Sequence, residues 1–287
     1  MGTPINEIHY TFDSYKFKLQ ASSTYSLSLK NKFPLTIKAY QPSIIPLGVK
    51  IVKSAGYAFF LWGKSQREVF IHTGLIDGGY RGELQMIIHN VTQHNITLLK
   101  NELKINLMAF QYALPRIYDQ TLLSAPQYPG DAGYDISLPG HLDINPHGET
   151  TIPLNIAFPR SIKHYKPVIV GRSGMAARGI VTTPKEVLGD SHELCLQNFT
   201  DQQISFPPGT RICQIVFLHK GNIRPPSRLS CRVVNIEENF NFKPEPVTFV
   251  EVNSDSSPPS QEGVISGPMA RLTNIRGEKG IGSSGIN

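Results

Sequence analysis

A chain of 287 residues with 40% hydrophobic and 17% charged side chains can build a sizeable core, as one large β domain or two smaller ones. Three cysteines, odd in number and without a Cys-x-x-Cys spacing, exclude a disulfide framework or a structural zinc site and point to a reducing compartment. The net charge of +6 predicts an anionic partner, and because no Lys/Arg run occurs, a compact polyphosphate fits at least as well as a long duplex.

The polar N-terminus has no signal-peptide pattern, and Met1-Gly2 lacks a Ser or Thr at position 6, where Asn6 stands, so neither export nor myristoylation is expected. The 24 glycines and 22 prolines cut the chain into short segments, which favours strands and turns over long helices. Short β-rich runs follow one another at 33–40, 67–71, 85–89, 142–152 and 211–218. The longest apolar run, Tyr57 to Trp62, is far too short to span a bilayer. Three Asn-x-Thr sequons, at Asn90, Asn95 and Asn198, are chance matches on this reading, since nothing directs export. A soluble intracellular protein of the cytoplasm or nucleus, not secreted and with no membrane partner, is the expectation.

The chain also repeats itself. Tyr25-Ser26-Leu27-Ser28-Leu29 matches Tyr134-Asp135-Ile136-Ser137-Leu138, Ile45-Pro46-Leu47 matches Ile152-Pro153-Leu154, Gly63-Lys64-Ser65 matches Gly171-Arg172-Ser173, and Asn90-Val91-Thr92 matches Asn198-Phe199-Thr200, all at offsets of 107 to 109. The predicted architecture is all-β: two β-barrel or jelly-roll-like units in tandem, pseudo-symmetric, followed by a flexible tail. The units fall at 1–118 and 119–242, joined by a connector near Pro115 to Pro129, with 243–287 as linker and tail. Lys243 to Pro268 is rich in Pro, Ser and Glu, and the last residues in Gly and Ser.

Five segments carry candidate chemistry. Gly74-Leu75-Ile76-Asp77-Gly78-Gly79-Tyr80-Arg81-Gly82 is a strand ending in a tight Gly-Gly turn, where Asp77 is either a plain turn residue or a reactive carboxylate. Asp131-Ala132-Gly133-Tyr134-Asp135-Ile136 puts Asp135 on a strand edge, as a solvated side chain or as a hard-cation ligand. Gly171-Arg172-Ser173-Gly174 combines a guanidinium fork, a hydroxyl and a residue that permits close backbone approach, a set suited to phosphate. Gly209-Thr210-Arg211-Ile212-Cys213-Gln214 places Gln214 on a strand with Arg211 nearby. The tail from Arg276 through Lys279, Ile281, Gly282, Ser283 and Ser284 can wrap phosphates with amides and hydroxyls, although it lacks the Gly-x-x-x-x-Gly-Lys spacing of a Walker loop.

Together these segments resemble the five signature motifs of the dUTPases. The segment similar to motif three stands first, an order that resembles the double-length monomeric enzymes of herpesviruses, the gammaherpesvirus branch above all. The resemblance implies a Mg2+-dependent hydrolysis of dUTP to dUMP and pyrophosphate, which keeps uracil out of DNA and supplies a thymidylate precursor. It implies that Asp77 is the general base, that Gly74, Leu75 and Ile76 wall the uracil pocket, and that Tyr80 packs under the deoxyribose. Asp135 would serve Mg2+, while Arg172, Ser173, Gly174, Gln214, Arg276 and Lys279 hold the phosphates and Ile281, Gly282, Ser283 and Ser284 close as a lid. Ile281 stands where most of the family has a uracil-stacking phenylalanine, and Thr210 replaces a usual aspartate. The implied partner is dUTP bound to a monomer, with no stable nucleic-acid partner. Each unit is incomplete: the first keeps the hairpin but has Ser26 opposite Asp135 and Lys64-Ser65-Gln66 opposite the phosphate motif, and the second has Val187-Leu188-Gly189-Asp190 in place of the hairpin. An interaction or signalling module with the same fold, and a dCTP deaminase, are the alternatives; the intact motifs weigh against the first and the Leu-Ile-Asp-Gly-Gly run against the second.

Overall fold

Strand pairing turns the sequence repeat into a repeated topology. The computed structural model describes residues 6–20, 23–117, 122–156, 158, 162–187, 191–223 and 242–253. The first part holds β1 (Asn6–Phe12), β2 (Phe17–Leu19), β3 (Leu27–Asn31), β4 (Leu35–Ile37), β5 (Pro42–Lys53), β6 (Ala58–Lys64), β7 (Val69–Ile71), β8 (Gly74–Ile76), β9 (Glu83–Asn90), β10 (Ile96–Leu98) and β11 (Lys104–Phe110). The second holds β12 (Tyr112–Ala113), β13 (Leu123–Ser124), β14 (Gly133–Ser137), β15 (Leu142–Ile144), β16 (Glu149–Asn155), β17 (Tyr165–Gly171), a one-turn helix α1 (Ser173–Ala176), β18 (Ile180–Thr182), β19 (Lys185–Glu186), β20 (Ser191–Asn198), β21 (Ile204–Phe206) and β22 (Arg211–His219). A last strand, β23 (Val247–Glu251), follows. The fold is all-β, as composition and turn spacing predict.

The sheet β2-β3-β11-β6-β8 of the first unit has the same plan as β13-β14-β22-β17-β19 of the second, and the pair β4-β10 matches β15-β21. A second first-unit sheet, β23-β1-β5-β9-β7, corresponds to the shorter β16-β20-β18. The run at 142–152, read as one strand, is two, because His147 takes a left-handed φ of +54° between β15 and β16. Its first-unit equivalent Tyr40 has φ +53°, and the two rings meet at 4.2 Å, so the same kink recurs in both units and the two copies touch.

The repeated sequons are structural. Asn90 is fully buried and donates to the Ile37 and His94 carbonyls at 3.0 and 2.7 Å, while its own oxygen accepts from Thr92 at 2.8 Å. Asn198 repeats this on the Ile144, Asn145 and Gln202 carbonyls, with Thr200 as its donor at 2.8 Å. Each asparagine therefore staples a β-arch, satisfying the carbonyl of a buried isoleucine, Ile37 or Ile144, and tying it to the exposed turn at His94 or Gln202.

Three apolar clusters hold the molecule. One fills the first unit around Phe17, Phe59 and Leu61, and one fills the second around Ile169, Phe206 and Phe217. The third joins them: Ala58, Phe60, Trp62, Met108 and Phe110 from β6 and β11 pack on Val168, Val170, Val216 and Leu218 from β17 and β22. This explains why Tyr57 to Trp62 is apolar throughout, since β6 is covered on both faces. Composition misreads the start of the segment that reads as a linker from Lys243: β23 pairs in parallel with β1, Asn6 opposite Val247. Alternating Val247 and Phe249, both buried, give that strand its inner face. Of the cysteines, Cys195 and Cys213 are free thiols, and burial raises the pKa of Cys195 to about 12, with Glu149 adding to it.

Candidate functional site

The hairpin at Asp77 is built by pairing and closed by its own backbone. β8 lies against β6, with Leu61 opposite Gly74 and Phe59 opposite Ile76. The Tyr80 amide donates to the Asp77 carbonyl at 3.0 Å, closing a β-turn, and Arg81 ties it down by donating to the Gly78 and Tyr80 carbonyls at 2.8 and 2.9 Å. The Tyr80 hydroxyl donates to the Glu83 carbonyl, which lays its ring over Gly82, where a Cβ would fall 2.4 Å from the hydroxyl oxygen. A glycine is required there.

The tip of this hairpin meets the second unit. Asp77 is only 6% exposed, and its Oδ1 accepts a 2.8 Å hydrogen bond from the Ala132 amide. A Cβ on Gly79 would lie 2.5 Å from the Pro129 carbonyl oxygen, so a glycine is needed for this approach as well. A narrow cleft is lined by Gly74, Leu75, Ile76, Asp77 and Tyr80 from the hairpin and by Ser173 from the second unit. Its lining sets the apolar Leu75 and Ile76 beside the Asp77 carboxylate and the Ser173 hydroxyl, the mix of groups that ligand clefts carry.

Asp135, Gln214 and Arg172 come together next to it. Asp135 on β14 pairs with Gln214 on β22, and Gln214 with Val170 on β17, two residues before Arg172. The Asp135 carboxylate accepts from Gln214 Nε2 at 3.1 Å and lies 3.3 Å from both Arg172 Nε and Arg211 Nη1. Burial lowers the pKa of the Arg172 guanidinium while Asp135 opposes the shift; Arg172 remains a cation. Burial also raises the pKa of the Asp131 carboxyl, an effect countered by the Tyr128 and Gln127 amides that donate to it. Arg172 leads into α1, and Gly174 lies within it.

The ladder corrects one alignment. With Gly63 taken as the equivalent of Gly171, β6 and β11 place Asn106 opposite Trp62 where the second unit has Gln214 opposite Val170, and Asn106 pairs with Ser28. Ser28, not Ser26, therefore stands at the place of Asp135; it donates to Asn106 Oδ1 at 2.6 Å. Local similarity of the Tyr-x-x-Ser-Leu runs is two residues out of step with the hydrogen bonds.

Two contributors went unmarked. Arg211, which the sequence places near Gln214 without a role, is 8% exposed and joined to Asp135. His72 lines the cleft at 4% exposure, with burial lowering its pKa to about 4; His89, beside it, falls to about 3 through burial and the nearby His72. Both rings are neutral at pH 7. Nothing in the sequence marks His72 except its place five residues before Asp77. Leu188, Gly189 and Asp190, and Arg276, Lys279, Ile281, Gly282, Ser283 and Ser284 of the tail motif, lie outside the described residues.

Among the described residues no three His, Cys, Asp or Glu side chains gather closely enough to cage a metal, and no helix is long and apolar enough to cross a membrane. A Mg2+ ion that keeps most of its waters and arrives on a triphosphate needs only one or two carboxylates, and the Asp135 carboxylate, with Asp131 close enough for the two to interact, could be such a donor.

The family model for dUTPase matches residues 14–107 and again 119–241. The deoxyuridine 5'-triphosphate nucleotidohydrolase of Equine herpesvirus 2 (strain 86/87) is 39% identical over 286 residues, covering 98% of this chain and 97% of that protein. Those of Saimiriine herpesvirus 2 (strain 11) and Human herpesvirus 8 type P (isolate GK18) are each 34% identical, covering 100% and 99% of both chains respectively. Two matches of one family model in a single chain, and relatives matched end to end, agree with the repeated topology: the chain belongs to the dUTPase family.

Proposed function

We propose that the chain hydrolyses dUTP to dUMP and pyrophosphate at a single composite site, with the first unit recognising the nucleoside and the second binding the phosphates. The observation that carries this reading is the hydrogen bond from the Ala132 amide to Asp77, which joins the hairpin to the segment leading to Asp135 in a cleft shared with Ser173. Asp77 takes the proton of a water that attacks the α-phosphorus; Ala132 occupies one carboxylate oxygen and fixes how the other is aimed. Gly74, Leu75 and Ile76 hold uracil through fixed main-chain groups, which match one base edge and leave that of cytosine unpaired. Tyr80 is held rigid by Glu83 and packs against the deoxyribose, leaving no room for a 2′-hydroxyl.

Arg172, Ser173, Gly174 and Gln214, with Arg276 and Lys279 of the tail, bind the phosphates, and Ile281, Gly282, Ser283 and Ser284 cover the nucleotide. Before substrate arrives, Arg172, Arg211 and Gln214 are held by Asp135, so two guanidinium charges against one carboxylate leave the site net positive with its donors already oriented. Bound through Asp135, Mg2+ would neutralise triphosphate charge and organise its oxygens. The division into units at 1–118 and 119–242 with a closing tail, the monomeric state and a cytoplasmic or nuclear location belong to the same proposal.

The test is pyrophosphate release from dUTP, dCTP, dTTP and UTP with and without Mg2+. Turnover confined to dUTP, dependent on the metal and lost when the last dozen residues are deleted supports the proposal. Equal turnover of UTP, or full activity of the truncated chain, contradicts it.

A further inference from the structure

The lysines that are scattered in the sequence are assembled by strand pairing. Lys18 on β2 faces Lys30 on β3, Lys30 faces Lys104 on β11, and Lys104 faces Lys64 on β6. Directly paired residues share a face, so four ammonium groups stand in a row across four adjacent strands, over a span of about 14 Å at about 4.8 Å per strand. Like charges placed directly opposite destabilise a sheet.

The surroundings are basic too. Segments 14–19, 27–34, 60–70 and 96–106, which converge at this end of the sheet, carry eight cationic residues against two carboxylates, Glu68 and Glu102, a local excess equal to the +6 of the whole chain. Glu102 is already engaged, by Arg67 Nε at 2.9 Å and the Leu99 amide at 2.7 Å. Lys64, Arg67, Lys100 and Lys104 line a broad open cleft that shares no lining residue with the one at Asp77. Two aromatics at the β2 and β3 end of the row are exposed: Tyr15, just before β2, is 74% exposed with Lys16 over its ring at 5.4 Å, and Phe33, just after β3, is 58% exposed. Asn31 donates to the Phe33 and Leu99 carbonyls, which fixes Phe33 beside the cleft. Lys64 also occupies the register of Arg172, so this is the first unit's version of the place where the second carries its phosphate motif.

From this assembly we infer a second binding site, for single-stranded nucleic acid, with the lysine row tracking the phosphate backbone and Tyr15 and Phe33 giving bases a stacking surface. A row of about 14 Å is longer than a triphosphate, and exposed aromatic rings beside it suit unstacked bases rather than a duplex or an acidic peptide. The contact is weak and salt-sensitive, which reconciles it with the expectation of no stable nucleic-acid partner: that expectation rests on dispersal along the chain, and the ladders undo the dispersal.

Anisotropy of a fluorescent 20-nucleotide oligothymidylate, titrated with full-length protein between 50 and 200 mM salt, tests it. We expect dissociation constants on the order of micromolar at low salt and a log-log salt slope of about −3, from roughly four phosphate contacts. K30E/K104E should bind at least about 10-fold more weakly with a shallower slope, while its dUTP turnover is unchanged and its melting temperature is no lower. Y15A/F33A should lose about 10-fold with the slope preserved. Binding of K30E/K104E equal to wild type overturns the proposal, as does displacement of the oligonucleotide by polyglutamate of matched charge as readily as by unlabelled oligonucleotide. Loss of binding on saturation with a non-hydrolysable dUTP analogue would also overturn it, by placing the strand in the cleft at Asp77.

Discussion

The two units share strand order, the asparagine staple and the left-handed residue before the long strand, yet they differ where one would expect a repeat to be most alike. At the row through β3, β11 and β6 the first unit has Ser28, Asn106 and Trp62, and the second has Asp135, Gln214 and Val170. One step along, the first unit has Lys64 where the second has Arg172. The apolar side chains and staples that hold each barrel are kept in both copies, because each unit must bury its own core. The candidate nucleotide-binding groups occur once, Asp77 and Tyr80 in the first unit and Asp135, Arg172 and Gln214 in the second, as a single shared cleft would require. The first unit's hairpin reaches across to the second unit's charged loops, and the joining cluster around Phe60 and Val216 fixes that approach.

The sharpest way to break the comparison is to remove one group from each side. Asp77→Asn keeps a side-chain oxygen for the Ala132 amide, so melting should be unchanged while turnover falls by about 1,000-fold or more, at the upper range for a general base. Near-normal activity in that variant would remove Asp77 from the mechanism. Next comes the pair Arg172→Ala and Lys64→Ala. The first should lower kcat/KM by about 10- to 100-fold, the worth of one charge-assisted contact, whereas the second should leave dUTP turnover unaltered. Equal losses would mean that the copies are not divided as we describe.

Stability should show the opposite, symmetric pattern. Asn90→Ala and Asn198→Ala each strand one buried carbonyl, that of Ile37 or Ile144, and should each cost about 2 kcal/mol in denaturant unfolding, because the staple is the same in both units. A large effect in one and none in the other would refute the equivalence.

The first unit should carry a distinct acid sensitivity through its buried histidines. His72 and His89 have folded-state pKa values lowered to about 4 and about 3, below the ordinary 6.5 of the unfolded chain, so between those limits the unfolded state binds more protons. Their stability contribution is complete above pH 6.5 and is lost as pH falls toward 4, at about 1.4 kcal/mol per pH unit for each ring. A His72→Gln/His89→Gln variant should flatten the curve of unfolding free energy against pH in that window; an unchanged slope would assign the acid sensitivity elsewhere.

The fold class, the repeat and the cluster of motifs were legible because each leaves a local trace. Glycines mark turns, short β-branched runs mark strands, and Asn-x-Thr recurs at a fixed offset. Other features depended on pairing partners far along the chain. Ser28 rather than Ser26 faces the place of Asp135 because hydrogen bonds, not similarity of neighbours, set register. Strand β23 was hidden in a Pro- and Ser-rich stretch because five residues that add an edge to an existing sheet need little pattern of their own. Arg211 and His72 escaped because an isolated polar residue gains a role only from the carboxylate or cleft that folding places beside it.

The central claim is that one polypeptide supplies both halves of one site. Mixing or co-refolding the Asp77→Asn protein with the Arg172→Ala protein tests it most directly, because each variant carries the group that the other lacks. The account predicts activity no higher than the sum of the two alone. Recovery of a substantial fraction of wild-type dUTP turnover would contradict it, since hairpin and phosphate loop would then be meeting between chains.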